Sequence, residues 1–250
     1  MLTNALGISQ PGVVACVGAG GKTSLLQSLA GCAGERRQPV IVTSTTKMYC
    51  SQVAGYTLVL SDSDAAGAMG VVQALATGKT VAWFSRQDGD KVVGVPPVWV
   101  DKLAGSAPHA WILVEADGAR GRLLKAPAPH EPVVPAGTHF TVGVLNLAVI
   151  GRPLSPANTH RLALVAKIIN KQAGELVEWR DLACLAVHEQ GIFQYARGTK
   201  ILLLAGGGEV PKGVARRLAG YANLAGAGIA RLVVTAGYGR LMRPVEVYEL

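Results

Sequence analysis

The chain has 250 residues, of which 50% are hydrophobic and 16% charged, and its formal net charge is +8. This composition argues against a disordered chain and allows the buried core of one large α/β domain or two small ones. The positive charge suits an anionic ligand. Because lysine and arginine are scattered, with no basic stripe interleaved with aromatic residues, the pattern favours small phosphorylated ligands and disfavours nucleic acid as a partner.

The cysteines and the apolar runs indicate the cellular compartment in which the protein is expected. Cys16, Cys32, Cys50 and Cys184 fit no C-x-x-C or other metal-ligand spacing, and nothing indicates a disulfide framework. The N-terminal stretch MLTNALGISQPG lacks the basic and apolar regions of a signal peptide, and every apolar run is interrupted before roughly 18 residues. We therefore expect a cytoplasmic protein that is neither exported nor spans a membrane.

Apolar strands alternate with helical segments along the chain. Strands are predicted at 12–18, 39–46, 56–60, 80–84, 110–116, 140–146, 200–206 and 230–236. Helices are predicted within 22–35, 62–77, 97–105, 159–173, 178–189 and 212–226. Such strands are typical of an α/β fold with a mostly parallel sheet and helices on both faces. No linker separates two domains, so we expect one domain over 1–250 and leave open whether about 175–250 is a divergent subregion.

The stretch VVACVGAGGKTSLL, from Val13 to Leu26, combines a strand, a glycine-rich turn and the start of a helix. The phosphate-binding pattern is G-x-x-x-x-G-K-[ST], and Cys16 stands where its first glycine belongs. The rest of the pattern is present, with Lys22 as a positive charge for phosphate and Thr23 as a hydroxyl for Mg²⁺. The predicted nucleotide-binding residues here are Gly18, Ala19, Gly20, Gly21, Lys22, Thr23 and Ser24.

Two competing interpretations of this turn fit less well. A turn that binds nothing is disfavoured, because a lysine at the positive end of a helix dipole is unfavourable by roughly 0.3 to 1 kcal/mol without an anion. The dinucleotide pattern G-x-G-x-x-G fails, because no third glycine fits the spacing. The turn therefore predicts phosphate binding.

Two acids follow the strand predicted at 110–116. A carboxylate at the carboxyl end of an apolar strand is where a Walker-B residue holds Mg²⁺. Glu115 and Asp117 alternate along the strand and so point to the same side. We predict that Glu115 binds the metal and that Asp117 orients a nucleophile, the alternative being two solvated acids.

The segment 125–139 carries four prolines and is predicted to be an ordered loop. Charged residues precede and occupy it, namely Arg120, Arg122, Lys125, His130 and Glu131. They suit a loop that binds an anion or stabilises a transition state, and spacing alone leaves a solvated surface loop equally open. In the functional interpretation Arg120 and Lys125 act in catalysis with Lys22 and Asp117, whereas His130 and Glu131 contact the ligand.

The stretch TSTTKM, from Thr43 to Met48, ends the second predicted strand. Hydroxyl groups and a lysine beside a nucleotide site resemble a switch segment, in which a hydroxyl completes the Mg²⁺ shell. We predict that Thr45 binds both metal and nucleotide and that Lys47 binds nucleotide. Threonine is also a good strand former, which is the alternative reason for its presence.

Two glycine-containing turns follow the last predicted strands, AGGGEVPKG within 201–213 and TAGYGR at 235–240. Ordinary strand-to-helix turns are favoured here, and a second anionic ligand near Gly206 to Gly208 is the alternative. The N-K-x-D element that reads guanine is absent from the sequence, so nothing favours GTP over ATP.

Four segments in this order, GAGGKTSLL, VIVTSTTKM, ILVEADGARGRLLKAPAPHEPVVP and HRLALVAKI, resemble the YqeC family of selenium-dependent hydroxylase accessory proteins. The resemblance covers roughly 10–170, and EADGARGRLLKAPAPHEP is its most specific part. It implies a P-loop NTPase-like fold and a link to the maturation of selenium- and molybdenum-containing hydroxylases. Such a hydroxylase, or another of its maturation proteins, would be a protein partner.

Two classes of function remain open. The first is an Mg²⁺-dependent enzyme that binds ATP or GTP, either an NTPase or an NTP-dependent transferase; a small-molecule kinase would need an acceptor pocket beside 120–131. The second is a non-catalytic module in which the nucleotide orders Thr43 to Lys47 so that a partner can dock.

Overall fold

The computed structural model describes residues 1–206 and 213–250. Within them the strands are β1 (Gly12–Gly18), β2 (Val40–Ser44), β3 (Lys47–Tyr49), β4 (Thr57–Leu60), β5 (Val81–Phe84), β6 (Arg86–Asp88), β7 (Lys91–Val93), β8 (Trp111–Glu115), β9 (Leu124–Lys125), β10 (Phe140–Asn146), β11 (Thr159–His160), β12 (Thr199–Ala205), β13 (Ile229–Ala236) and β14 (Arg243–Glu249). The helices are α1 (Leu2–Ala5), α2 (Lys22–Glu35), α3 (Asp64–Leu75), α4 (Pro97–Ser106), α5 (Leu162–Ile169), α6 (Trp179–Val187) and α7 (Val214–Leu224).

A nine-stranded sheet organises the fold, in the order β14-β13-β12-β10-β1-β8-β2-β5-β4. All neighbouring strands are parallel except β14, which pairs antiparallel with β13. The central strands are almost wholly buried, as continuous apolar strands require when both faces are covered. The predicted α/β class with a mostly parallel sheet is therefore confirmed.

Alternate residues of the central strands pack on opposite sides. Val14 and Cys16 of β1 face α1 and α2. Val13 of β1 and Ile112 of β8 face α3 and α4, while residues of β10, β12 and β13 pack under α5, α6 and α7. Between these two helical groups Val134 of the proline-containing loop packs on β1. Helices on both faces are confirmed, and the loop occupies the gap on one face.

The predicted strands and helices are found with shifts of up to a few residues at their ends, and two differences have clear local causes. The strand predicted at 39–46 stops at Ser44, whose hydroxyl accepts a hydrogen bond from Thr46 N. The helix predicted from 159 begins at Leu162, because the preceding residues form β11 and Arg161 has a left-handed backbone with φ 58°.

Several elements were not predicted. The small sheet β3-β7-β6 is antiparallel, with strands of three residues each, and the pair β9 and β11 has two residues per strand. Edge strand β14 is mostly exposed and follows no apolar pattern. Residues 175–250 supply three strands to the main sheet, which supports the single-domain prediction, although that remains a prediction.

In the described ranges, 1–206 and 213–250, none of the helices is both long and apolar enough to cross a membrane.

Candidate functional site

The glycine loop joins two central elements. Strand β1 runs through Cys16 to Gly18, and α2 begins at Lys22, so only three residues separate strand and helix. Gly18 and Gly20 have φ values of 93° and 74°. A Cβ at Gly18 would lie 2.2 Å from the backbone oxygen of Val144, which leaves room for glycine alone. The loop is thus shorter than the phosphate-binding pattern requires, and the position of the missing first glycine, Cys16, lies within β1.

Backbone donors are unused at this loop. Among the described residues, the N–H groups of Gly20 and Gly21 donate to no protein acceptor. The first N–H groups of an α-helix also have no partner within the helix, and here they belong to the residues that follow Gly21. Unsatisfied N–H groups at the positive end of a helix dipole favour an anion.

The Lys22 side chain turns back toward the sheet and is only 4% exposed. Its Nζ donates to Gly18 O at 2.7 Å and lies 3.1 Å from Asp117 Oδ1 and 3.9 Å from Glu115 Oε1. Burial acts to lower the pKa of Lys22, but the two carboxylates outweigh burial and raise it above its ordinary value. The ammonium is therefore charged at neutral pH.

Glu115 is the last residue of β8 and lies in the cleft described below. Its Oε2 is buried and has no hydrogen-bond partner among the described residues. Burial raises the pKa of Glu115, opposed by Lys22. A carboxylate oxygen that is buried, unpartnered and beside a cleft fits the predicted ligand of a cation.

Asp117 lies on the same side of the chain as Glu115 and is enclosed by protein; its buried Oδ1 lies 3.1 Å from Lys22 Nζ and has no hydrogen-bond partner among the described residues. Its Oδ2 accepts a hydrogen bond from Gly18 N at 3.0 Å and lies 2.8 Å from Lys125 Nζ. It is 1% exposed and does not line the cleft. In this structure Asp117 positions Lys22 and the glycine loop; the orientation of a nucleophile stays a prediction.

An open cleft of about 710 Å³ lies at the carboxyl ends of the central strands. The predicted residues that line it are Gly20, Gly21, Lys22, Thr23, Ser24, Lys47, Glu115, Arg120, Arg122 and Glu131. This is the edge at which open α/β sheets bind ligands. The glycine loop, the Walker-B-like strand end and part of the arginine-containing segment therefore meet in one cavity.

Several predicted site residues lie outside the cleft lining. Gly18 and Ala19 are buried behind the loop. Thr45 donates its hydroxyl hydrogen to Val133 O at 2.8 Å, and His130 is exposed on the proline-containing loop. The structure thus places neither Thr45 nor His130 in the cleft. The hydroxyl of Thr45 is hydrogen-bonded to the proline-containing loop, and the side chain of His130 is exposed to solvent.

The predicted Mg²⁺ ligand Thr23 lies in the cleft, where its Oγ1 accepts a hydrogen bond from Gln52 Nε2 at 2.6 Å. Lys47 also lines the cleft and pairs with Asp88 at 2.7 Å. Both contacts leave these side chains at the cavity wall. Their roles in binding metal and nucleotide stay predictions.

Lys125 departs most from its prediction as a catalytic residue in a loop that binds an anion or stabilises a transition state. Its side chain is fully buried, with Nζ 2.8 Å from Asp117 Oδ2, 3.0 Å from Glu131 Oε2 and 2.8 Å from Gly118 O. Arg161 completes the cluster by two hydrogen bonds to Glu131, at 2.6 and 2.7 Å. Because its ammonium is surrounded by protein acceptors, Lys125 holds the loop together and does not reach a ligand.

Glu131 makes stability depend on pH. Although burial acts to raise its pKa, Arg161 and Lys125 lower it from 4.5 to about 2. A lowered carboxyl pKa stabilises the fold above pH 4.5, and that stabilisation is lost as the pH falls toward 2. We expect the free energy of unfolding to fall more steeply over this range in the wild type than in Glu131→Gln, measured by urea unfolding. Parallel curves would contradict the prediction.

Many residues that line the cleft had no role in the sequence predictions, and four of them make contacts that matter for the site. Arg161 and His160 stand in the segment HRLALVAKI, which carried the family resemblance without an assigned role. Asn146 ends β10 and donates to Gly20 O; a polar residue at a strand's carboxyl end is a signal that could have found it. Gln52 contacts Thr23 across 29 positions of sequence, and no local pattern announces it.

The fold and this cleft define an α/β protein with a phosphate-binding type of glycine loop at the carboxyl edge of a parallel sheet. Comparison with family models matches residues 14–163 to the YqeC protein family. The chain belongs to the YqeC family, as the sequence resemblance predicted. The family and the loop support nucleotide binding.

One relative and two solved structures are similar over most of the chain. The protein YqeC of Escherichia coli (strain K12) is 32% identical over 185 residues, which are 74% of this chain and 71% of the relative. A chloroplast FtsY from Physcomitrella patens covers 96% of this chain, at 16% identity and a TM-score of 0.44, and this chain spans 64% of its length. The signal recognition particle 54 kDa protein of Aeropyrum pernix K1 in complex with GDP covers 95% of this chain, at 11% identity and a TM-score of 0.43. This chain spans 44% of the length of that protein.

Proposed function

We propose that this protein binds ATP or GTP with Mg²⁺ in the cleft and acts as an NTPase or NTP-dependent transferase. The observation that carries the proposal is the charged ammonium of Lys22, which begins α2 behind a glycine loop and lies within 3.9 Å of the Walker-B-like Glu115. The role that we infer for it, from the family resemblance, is in the maturation of selenium- or molybdenum-dependent hydroxylases. Four free cysteines support a cytoplasmic setting.

The glycines of the loop, the first residues of α2 and the two acids have distinct parts in this proposal. The N–H groups of Gly20 and Gly21 bind phosphate oxygens, and Lys22 exchanges its contacts with the acids for a phosphate. Thr23 and Glu115 hold Mg²⁺, which supplies charge neutralisation for the phosphates when bound. Asp117 keeps the glycine loop in place through its hydrogen bond with Gly18 N.

A non-catalytic sensing module is the second candidate. It requires that the nucleotide order the segment from Thr43 to Lys47. Here Thr45 N donates to Glu115 O at 3.1 Å, and the backbone oxygens of Ser44 and Thr46 accept hydrogen bonds from the segment after β7 at 2.8 and 2.7 Å. These hydrogen bonds hold the segment in place without a nucleotide. The sensing module requires a segment that the nucleotide orders, so the bonds favour the enzyme.

Binding and turnover experiments test the proposal. The protein is titrated with ATP and GTP by calorimetry, with and without Mg²⁺, and single-turnover reactions are then run with candidate molybdopterin-type acceptors. Saturable binding with transfer of a phosphoryl or nucleotidyl group supports a transferase, and transfer to a small-molecule acceptor alone supports a kinase. Nucleotide-dependent capture of a hydroxylase without turnover supports the module. Absence of binding by either nucleotide would refute the proposal.

The two strand-end acids are expected to behave differently when changed to amides. Glu115→Gln should weaken Mg²⁺-dependent nucleotide binding by roughly tenfold, about 1.4 kcal/mol, because a cation ligand is lost. Asp117→Asn should keep the Mg²⁺ dependence and slow turnover, because it weakens the hold on Lys22. Calorimetry and initial rates measure these effects, with Glu35→Gln on the exposed end of α2 as the control. If both variants bound nucleotide and turned it over like the wild type, Glu115 and Asp117 would have structural roles only.

A further inference from the structure

One arm of the cleft lies beyond the glycine loop and is lined by Arg120, Arg122, His160 and Arg161, which we call the arginine arm. Two segments distant in sequence form it. Strand β9 pairs with β11, so that Lys125 lies opposite His160, and Arg122 Nη1 donates to Ala157 O at 3.0 Å. The arm is therefore built by the fold and is not a chance grouping of surface side chains.

Positive charge exceeds negative charge in this arm. Three guanidinium groups line it, and the only acid beside them in the described cleft lining, apart from Glu115 near the glycine loop, is Glu131. Glu131 is bound by Arg161 through both of its oxygens. Within the part of the chain that the structure describes, neither Arg120 nor Arg122 forms an ion pair, and both are exposed. Two guanidinium groups are thus available to a ligand.

The pKa of His160 reflects the same excess of positive charge. Burial lowers its pKa and, with Arg161, Lys125 and Arg120 acting in the same direction, brings it to about 4 against the opposing effect of Glu131. The imidazole is neutral at pH 7 and can donate or accept a hydrogen bond. An anion in the arm would offset the surrounding cations and restore the basicity of this side chain.

We propose that the arginine arm binds the phosphate group of a small second ligand, the co-substrate of the enzyme proposed above. Guanidinium groups match phosphate and carboxylate oxygens in a planar fork. Phosphate is favoured because a dianion matches the two uncompensated arginines and has oxygens for both at once. The inference rests on the proposed function for the ligand's role in turnover, but the binding site is defined by its own residues.

A mostly buried chain of alternating charges connects the glycine loop with the arginine arm. Lys22 Nζ lies 3.1 Å from Asp117 Oδ1, and Asp117 Oδ2 lies 2.8 Å from Lys125 Nζ. Lys125 Nζ is 3.0 Å from Glu131 Oε2, which accepts from Arg161 at 2.6 Å. Every link is a direct contact, so in this structure the chain of charges joins Lys22 to Arg161 of the arginine arm.

The test is a titration with inorganic phosphate, followed by the NMR signal of the His160 imidazole, which His160→Gln identifies. Phosphate should shift this signal in a saturable manner and raise the pKa of His160. Arg120→Ala and Arg122→Ala should each weaken phosphate binding about tenfold or more. Arg217→Ala, an exposed arginine on α7 away from the cleft, is the matched control and should bind phosphate like the wild type. Unchanged phosphate binding in both arm variants would overturn the proposal.

Three further titrations separate this site from the nucleotide site. Lys22→Ala should retain phosphate binding at His160; its loss would show that phosphate occupies the glycine loop and would refute the arm. Phosphate should still bind when ADP is saturating. Displacement of phosphate by ADP would show that the arginine arm is part of the nucleotide-binding site. Acetate should bind at least about tenfold more weakly than phosphate, and equal binding would overturn the phosphate class. Phosphate binding without any nucleotide binding would refute only the proposed function.

Discussion

Lys22→Ala is expected to abolish nucleotide binding at the concentrations used for the wild type, a loss of roughly 100-fold or more in affinity, about 3 kcal/mol. The ammonium lies at the start of α2 behind the glycine loop and donates a hydrogen bond to Gly18 O. Without it the phosphates would meet Glu115 and Asp117, two buried acids, with no intervening positive charge. Calorimetric titration with ATP and GTP measures the effect.

The variant also loses a buried cation, so folding has to be checked separately. Circular dichroism and thermal unfolding are measured beside Lys22→Met, which keeps the aliphatic stem of the side chain. Lys79→Ala, at an exposed lysine after α3, is the matched control and should bind nucleotide like the wild type. Unchanged ATP and GTP affinity in a folded Lys22→Ala protein would remove the basis of the nucleotide proposal.

Lys125→Met is expected to lower the free energy of unfolding by about 3–5 kcal/mol, the largest effect on stability that we predict. The substitution keeps the length of the side chain but leaves Asp117 and Glu131 without the cation that lies within 3.0 Å of both. Desolvated carboxylates that lose a partner are far more costly than an exposed pair that breaks. Urea unfolding measures the change.

Lys79→Met provides the same chemical change at an exposed site and should stay within about 0.5 kcal/mol of the wild type. If Lys125→Met also stayed within about 1 kcal/mol, the buried ion cluster would contribute little to stability. The position of the arginine arm would then depend on the pairing of β9 with β11 and on the hydrogen bond from Arg122 to Ala157 O.

Local sequence patterns predicted the parts of the site that depend on one strand and the turn after it. The apolar run of β1, the glycines after it and Lys22 are contiguous, so strand, turn and helix start could be assigned together. Glu115 was found in the same way, as an acid at the end of β8. These two strands are neighbours in the sheet, which is why both predictions met in one cleft.

The charged segment after β8 shows where local patterns fail. Spacing alone could not separate Lys125, which is fully buried, from Arg120 and Arg122, which are exposed in the cleft. The difference arises because Lys125 is enclosed by Asp117 and by Glu131, which is itself bound by Arg161 from 30 positions away. Burial of a charge depends on such partners, and partners distant in sequence leave no local signal.

The sequence by itself determined the α/β class, the approximate strands and helices, the glycine loop and the family, because periodicity and turn chemistry act over a few residues. Only the tertiary structure decided the strand order, the small antiparallel sheet, the edge strand β14 and the division of the charged residues between a buried cluster and the arginine arm. The physical reason is that strand pairing and buried ion pairs join residues far apart in the chain, so their energies depend on positions that exist only once the chain has folded.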